Sequence, residues 1–320
     1  MAPPVEGISK PIFIVSSARS GSTILTWCLG QHPNIIPQEE SDWLGPFAID
    51  AAVAFERGTT RGQRGQLSAN FIERDEFLSC FGQAIDKLIV SHRRNFEDLN
   101  RRQRIGWYPH PFNISRTPDE PKLRWVDGTP EYSFYICELR KLFPGALFVH
   151  LVRDVTSVVR SLLNFYPDGR NRLVANEQAA YEYWLRRVGR CVVAEQVYGP
   201  KVVYRMRYSD LVGQPEATMR LLDFLGEPYS PECLEPLKQR INSANVPVDF
   251  NASDSATDPA IVQRARRLSD QLQNLPQPQQ VCAKVAEKLE AEFNQQMEYC
   301  RDLRRKYGEA QTLIANLQKK

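Results

Sequence analysis

Four short apolar runs, each followed by a helical pattern, constrain this chain more than any other feature. They are PIFIVS (11–16), LRWVD (123–127), ALFVHLV (146–152) and VVYRMRY (202–208). Runs this short, rich in Val, Ile and Phe, suit strands buried on both faces. The segments after them read as helices. Residues 23–31 form one that stops before Pro33. Thr129-Pro130-Glu131 supplies an N-cap, a proline at the first helical position and a first-turn acid, so a helix is expected to about Phe143, ending at Pro144-Gly145. Asp154 caps the next, to about Asn164. A long helix over 176–197 carries Tyr181, Trp184, Leu185 and Val188 on one face, and 214–225 is helical again. Alternation in this order predicts an α/β fold, a central parallel sheet flanked by helices.

Residues 45–120 break the alternation. They are helix-like in pieces, chiefly 72–90, and then rich in arginine: Arg93, Arg94, Arg101, Arg102 and Arg104. Either a solvated helix face or a lid over something acidic fits that composition. LQNLPQPQQ (272–280) is linker-like. Beyond it one long helix is expected over 281–320. Val281, Val285, Leu289, Phe293 and Met297 are four apart, and Cys300, Leu303, Tyr307, Ala310, Ile314 and Leu317 alternate steps of three and four. That seam packs on the domain or pairs with a second copy as a homodimer. The expected organisation is a domain over 1–270 with a variable region at about 41–120, a linker at 271–280 and the C-terminal amphipathic helix at 281–320.

Bulk composition narrows the class. In 320 residues, 42% apolar and 25% charged content is ordinary for a globular protein. A net charge of +3 is far from a dedicated nucleic-acid binder, but it leaves room for a local anion site. The seven cysteines (28, 80, 137, 191, 233, 282, 300) show no close pair and no metal-ligand spacing, as reduced cytoplasmic thiols would. No leader-like segment opens the chain, and no run approaches the roughly 18 apolar residues of a membrane span.

The chemistry begins where the first run ends. "FIVSSARSGSTIL" (13–25) reads as strand, tight loop, helix. A Walker A loop is G-x-x-x-x-G-K-[ST]. Aligned on Gly21, the lysine position holds Ser22 and the hydroxyl position Thr23, while the cation stands earlier, at Arg19. Amides at a helix start still cradle an anion. With no Walker lysine and no clear acidic Mg²⁺ ligand after a strand, a diphosphate-sized anion without metal suits the loop better than a metal-bound triphosphate. Arg153, leaving the third run, and Ser161, about two helical turns on, can grip one phosphate together.

Four segments, in order, resemble the PAPS-dependent sulfotransferases, closest in form to the tyrosylprotein, carbohydrate and bacterial types. "SSARSGSTIL" is similar to the 5′-phosphosulfate loop. "DGTPEYSFYICELRKLFPGALFVHLVRD…VVRSLL" is similar to the helix, strand and 3′-phosphate motif. "VVYRMRYSDLVGQPEATMRLLDFLGEP" resembles the YEDL-type segment, and "INSANVP" the asparagine–serine segment after it. Together they span roughly residues 11–247.

The resemblance implies a P-loop-like sulfotransferase fold and transfer of a sulfuryl group from PAPS to a hydroxyl acceptor, giving PAP without a metal. It implies that Arg19 and the amides of Ser20, Gly21, Ser22 and Thr23 hold the 5′-phosphosulfate. Arg153 and Ser161 would hold the 3′-phosphate, and Tyr208 the adenine. "QHPNIIPQEESDW" (31–43) places Glu40 at the catalytic base, with Glu39 beside it as competitor. Among His32, His92, His110 and His150, His110 is the alternative base, and His150, mid-strand, reads as structural. Two departures stand out. The family lysine of the "K-T-P" segment is Gly128, and the YEDL glutamate is Ser209. The basic residue that closes on the 3′-phosphate is unplaced, with Arg264, Arg266 and Arg267 as candidates. The alternative functions are a P-loop kinase-like phosphotransferase and a non-catalytic PAP-binding protein.

Overall fold

A computed structural model of the chain describes residues 10–102, 122–166, 171–238 and 254–318. His110, the segment 241–247 and the side chains of the arginines at 93–104 lie outside the described residues. The strands are β1 (Ile12–Val15), β2 (Ile35–Pro37), β3 (Arg124–Asp127), β4 (Leu147–Val152) and β5 (Val203–Arg207). The helices are α1 (Ser22–Gly30), α2 (Leu44–Thr59), α3 (Gln66–Ala69), α4 (Arg74–Arg102), α5 (Ile136–Leu142), α6 (Val155–Leu163), α7 (Glu177–Tyr198), α8 (Tyr208–Gly213), α9 (Pro215–Leu225), α10 (Pro259–Asn274) and α11 (Ala283–Gln318).

The five strands are parallel in the order β2-β3-β1-β4-β5. The chain builds one side of β1 and then crosses to the other. The carboxyl end of β1 is therefore a switch point, where open α/β sheets bind ligands.

Side-chain alternation explains why β1 is apolar throughout. Phe13 and Val15 face α2, α5 and α11, and Ile12 and Ile14 face α1 and α9. Phe13 meets Trp125 edge-on at 5.4 Å, Tyr132 at 5.7 Å and Phe148 in a stack at 5.5 Å. Each such pair contributes about 0.5–1.5 kcal/mol beyond area burial. This cluster ties the ends of β1 and β3 to the turn that follows β3.

The expected helix from Pro130 to Phe143 is broken. Pro130–Phe134 is a 3₁₀ turn, and Tyr135 leaves the helical region at φ −119° before α5 begins. Thr129 occupies the N-cap position, yet its side chain does not cap. Asp154 does cap α6, accepting from the Ser157 amide at 2.8 Å. Strand β2 and helices α2, α8 and α10 were not expected. β2 has only three residues, too few for a periodic signal.

Helix α11 is two-faced along its length. Phe293 and Met297 are buried against the main core, and Leu289 and Cys300 pack on it. From Leu303 onward Tyr307, Ile314 and Leu317 are exposed. No helix among the described residues is long and apolar enough to cross a membrane.

Candidate active site

All five strands deliver site residues at their carboxyl ends. β1 delivers the loop Ser16–Gly21. Arg19 and Gly21 both adopt left-handed backbone, at φ 70° and 107°. Those two reversals turn the chain into α1. The Ser20 amide is used within the turn, donating to the Ser17 carbonyl at 3.2 Å. The Ser20 amide, expected in the anion cradle, is thus committed, which leaves the backbone donors of Gly21 and of the first turn of α1, whose opening amides have no intrahelical partner. That turn carries no acid of its own to occupy its positive dipole end. The hydroxyls of Ser16 and Ser20 are buried without a hydrogen-bond partner, a state that a bound anion would relieve.

β4 and β5 supply the second wall. Val152 pairs with Arg207, so Arg153 and Tyr208 leave the sheet side by side. The Arg153 guanidinium lies 4.4 Å over the Tyr208 ring, and its Nη1 donates to the Arg19 carbonyl at 3.1 Å. Arg19 Nε donates to Ser161 Oγ at 3.1 Å, and its guanidinium covers the Phe165 ring at 4.3 Å. Arg19, assigned by resemblance to the 5′ end of the donor, thus reaches Ser161, assigned to the 3′ end. Burial, then the Arg153 charge, lowers the Arg19 pKa, and Glu40 raises it in part.

β2 and β3 supply the third wall. Pro37 pairs with Val126, and the Gln38 amide extends the ladder to the Val126 carbonyl at 2.8 Å. The segments 39–41 and 127–129 therefore leave the sheet as neighbours. Glu40 is exposed at its backbone bend and reaches Thr23 in the first turn of α1. Burial raises its carboxyl to about 7, with Glu131 and Glu39 adding to the rise; the Arg19 charge and the Thr23 hydroxyl oppose it. Glu39 is raised by burial alone. Of the two glutamates, Glu40 is the one coupled to the loop.

Four participants were not singled out as site residues from the sequence. Asp127 is buried, and its carboxyl is raised to about 7 by burial against hydrogen bonds from Thr129, with Glu40 adding to the rise. Glu131 pairs with Arg187 of α7 at 3.3 Å. The Arg187 guanidinium stacks 3.5 Å over the Tyr183 ring, whose phenol feels the charges of Arg187, Glu131 and Glu40. Only the ends of β2 and β3, read as adjacent strands, could have pointed to the first two. Arg187 and Tyr183 come from mid-helix, where sequence gives no such cue.

Gly128 has a steric reason. A Cβ there would lie 2.4 Å from Thr26 Oγ1 of α1. The Thr26 side chain fills the space that the Cβ of the family lysine would need. His150 is committed elsewhere: its Nδ1 lies 2.7 Å from Glu195, which also binds Arg205. Despite burial, those bonds hold the Glu195 carboxyl below its ordinary value. Of the C-terminal arginines, Arg266 lies beside Tyr181.

A parallel sheet with a glycine turn after its central strand, a cation before the turn glycine and a carboxylate across from it is a P-loop-like arrangement. The chain belongs to the sulfotransferase family, whose model matches residues 11–231. Two curated relatives, from Mycobacterium bovis and Mycobacterium tuberculosis, are named omega-hydroxy-beta-dihydromenaquinone-9 sulfotransferase Stf3. Each is 24% identical over 246 residues, covering 66% of this chain and 61% of theirs. The chain thus spans about three fifths of the length of these relatives. Among solved structures, the sulfotransferase domain of the Synechococcus PCC 7002 olefin synthase is 19% identical, with a TM-score of 0.44, over 91% of this chain and 97% of that one. Sulfotransferase STF9 from Mycobacterium avium is 17% identical, with a TM-score of 0.43, over 86% and 79%.

Proposed function

We propose that this protein transfers the sulfuryl group of PAPS to a hydroxyl acceptor, giving PAP and a sulfate ester. The observation that carries the reading is the position of Glu40, which meets Thr23 in the first turn of α1 and whose carboxyl is raised to about 7. A base with a pKa near the working pH is suited to take a hydroxyl proton. Its neighbour across the loop, Arg19, supplies the opposite charge to the donor.

The residues fit the donor. Two phosphate-bearing ends need two cationic grips, and Arg19 and Arg153 are linked through the Arg19 carbonyl. Tyr208, held under Arg153, offers a ring face to an adenine. Sulfuryl transfer needs an in-line nucleophile and stabilised charge on the leaving oxygen. In this reading Glu40 removes the acceptor proton, and Arg19 with the α1 amides stabilises charge building on the 5′-phosphate.

The acceptor in this reading is a hydroxyl on an apolar molecule. The mycobacterial relatives are named for a hydroxylated menaquinone. Here Trp43, three residues beyond Glu40 and 47% exposed, starts an aromatic ladder. Its rings step from Trp43 to Phe47 at 5.9 Å, to Phe81 at 5.8 Å and to Phe77 at 5.0 Å.

The test is transfer of ³⁵S from labelled PAPS to hydroxylated acceptors, with melting curves in PAP and in ATP–Mg²⁺. Label transfer with a PAP-specific rise in melting temperature is expected. A rise with ATP–Mg²⁺ alone would turn the reading to a kinase, and PAP binding with no transfer to any acceptor would turn it to a non-catalytic protein.

A further inference from the structure

We infer that Asp127 and Thr129 are positioning residues that latch the bend carrying Glu40 to the end of β3. The inference rests on the reading of Glu40 as the base. Thr129 sits where a helix cap belongs, yet its hydroxyl points away from that task. It lies 2.6 Å from Asp127 Oδ1, which also accepts from the Thr129 amide at 2.9 Å. The same hydroxyl oxygen accepts from the Ser41 amide at 2.7 Å, and the Ser41 carbonyl is 3.2 Å away. Ser41 directly follows Glu40, so both faces of its peptide backbone are held by one side chain.

A hydroxyl has a single proton, and here two acceptors compete for it. The contact to Asp127 is the shorter, as expected when a carboxylate takes the proton. Thr129 Oγ1 then offers its lone pairs to the Ser41 amide. When Asp127 is protonated, the carboxyl becomes a donor and the Thr129 proton is released toward the Ser41 carbonyl. The latch therefore survives both states but reverses its polarity, and Asp127 reports its charge to the backbone that carries the base.

Nothing about the strand requires this arrangement. Asp127 is 2% exposed, and burying a carboxylate at a strand end disfavours its charged form. The groups facing it are Thr129, Glu40 and, from the 3₁₀ turn, Tyr132. Those facing Glu40 are Glu131, Glu39, Arg19 and Thr23, with Tyr183 from α7. The Glu40 charge raises Asp127, and by reciprocity the Asp127 charge disfavours ionisation of Glu40.

The experiment uses the full chain and needs no acceptor. Amide exchange at Ser41 and the carboxyl titration of Glu40 are followed by NMR in Thr129→Val, Thr129→Ser and Asp127→Asn. Thr129→Val should speed Ser41 exchange by roughly ten-fold. Thr129→Ser should restore it, and Asp127→Asn should lower the Glu40 midpoint. Ser41 exchange within two-fold of wild type in Thr129→Val, or an unmoved Glu40 midpoint in Asp127→Asn, would overturn the latch. A Glu40→Gln variant that still turns over would remove the base while leaving the exchange results standing, so the two failures are distinguishable.

Discussion

Tyr208 lies so close over Gly21 that a Cβ on the glycine would sit 2.6 Å from the tyrosine Cε2. Gly21 also holds φ at 107°, which an L side chain adopts at a cost of about 1–2 kcal/mol. Gly21→Ala should therefore displace the ring that covers the loop and weaken PAP binding. A lowered melting temperature and a PAP affinity reduced roughly a hundred-fold, measured by calorimetry, are expected from a strain near 3 kcal/mol. Adding Tyr208→Ala should recover part of the stability and none of the affinity. Wild-type affinity in Gly21→Ala would remove Gly21 from the cradle.

Arg153 connects three parts of the proposed donor site, the Tyr208 ring, the Arg19 carbonyl and the end of β4. Arg153→Ala should cost PAP affinity by one to two orders of magnitude, from charge-assisted bonds worth about 1.5–3 kcal/mol each. Arg153→Lys should recover little, because an ammonium neither stacks on the ring as a plane nor grips a phosphate with two parallel bonds. Titration calorimetry with PAP checks both, and an unchanged affinity sinks the 3′-phosphate assignment.

Glu40→Gln should leave PAP binding intact and reduce turnover by roughly 10²–10⁴-fold. The same change has a stability signature. The folded Glu40 carboxyl is raised from 4.5 to about 7, so the folded state holds its proton more tightly than the unfolded chain does. The stability this contributes is full below 4.5 and is lost as pH rises through 7. Gln has no such loss. Melting curves at pH 8 should show the variant at least as stable as wild type, while at pH 4 the advantage disappears. An active Glu40→Gln alongside an inactive Glu39→Gln would transfer the role to Glu39.

The sheet was legible because four of its five strands are apolar runs with helix signals after them. β2 was not, because three residues carry no period, and its pairing with β3 is decided by chain contacts far apart in sequence. On the donor side, loop and strand-end residues are local to their motifs, and Arg19 could be paired with Ser161 only by folding. The side proposed to carry the base was half legible. Glu40 was reached by alignment along one segment, but Asp127, Thr129 and Glu131 were read only as a strand tail and a helix start. Their second use depends on β2 lying beside β3. Arg187 and Tyr183 belong to a helix whose apolar face dominated its pattern.

Removing either partner of the Glu131–Arg187 ion pair should move the acid limb of the kcat/KM profile, the two in opposite directions. Glu131 raises Glu40, so Glu131→Gln should shift the limb to lower pH. Arg187 partly neutralises Glu131 at 3.3 Å. Arg187→Ala should leave that charge uncompensated and shift the limb to higher pH. A pH–rate series on the two variants checks the signs, and shifts in the same direction would mean that Glu131 does not act on the base through its charge.

Gly128 invites an obvious repair, and the geometry predicts that it fails. The family lysine could be restored as Gly128→Lys, but its Cβ would stand 2.4 Å from Thr26 Oγ1, on a buried turn of α1. The buried Thr26 side chain must leave its place, and it sits on the helix that carries Ser22 and Thr23. Overpacking of this kind costs about 1–3 kcal/mol. The variant should melt several degrees lower and gain no turnover. Thr26→Gly opens room at the contact, so the Thr26→Gly/Gly128→Lys pair should regain stability relative to Gly128→Lys. If Gly128→Lys alone is stable and more active than wild type, the close approach of α1 to the β3 end is not what excludes the lysine.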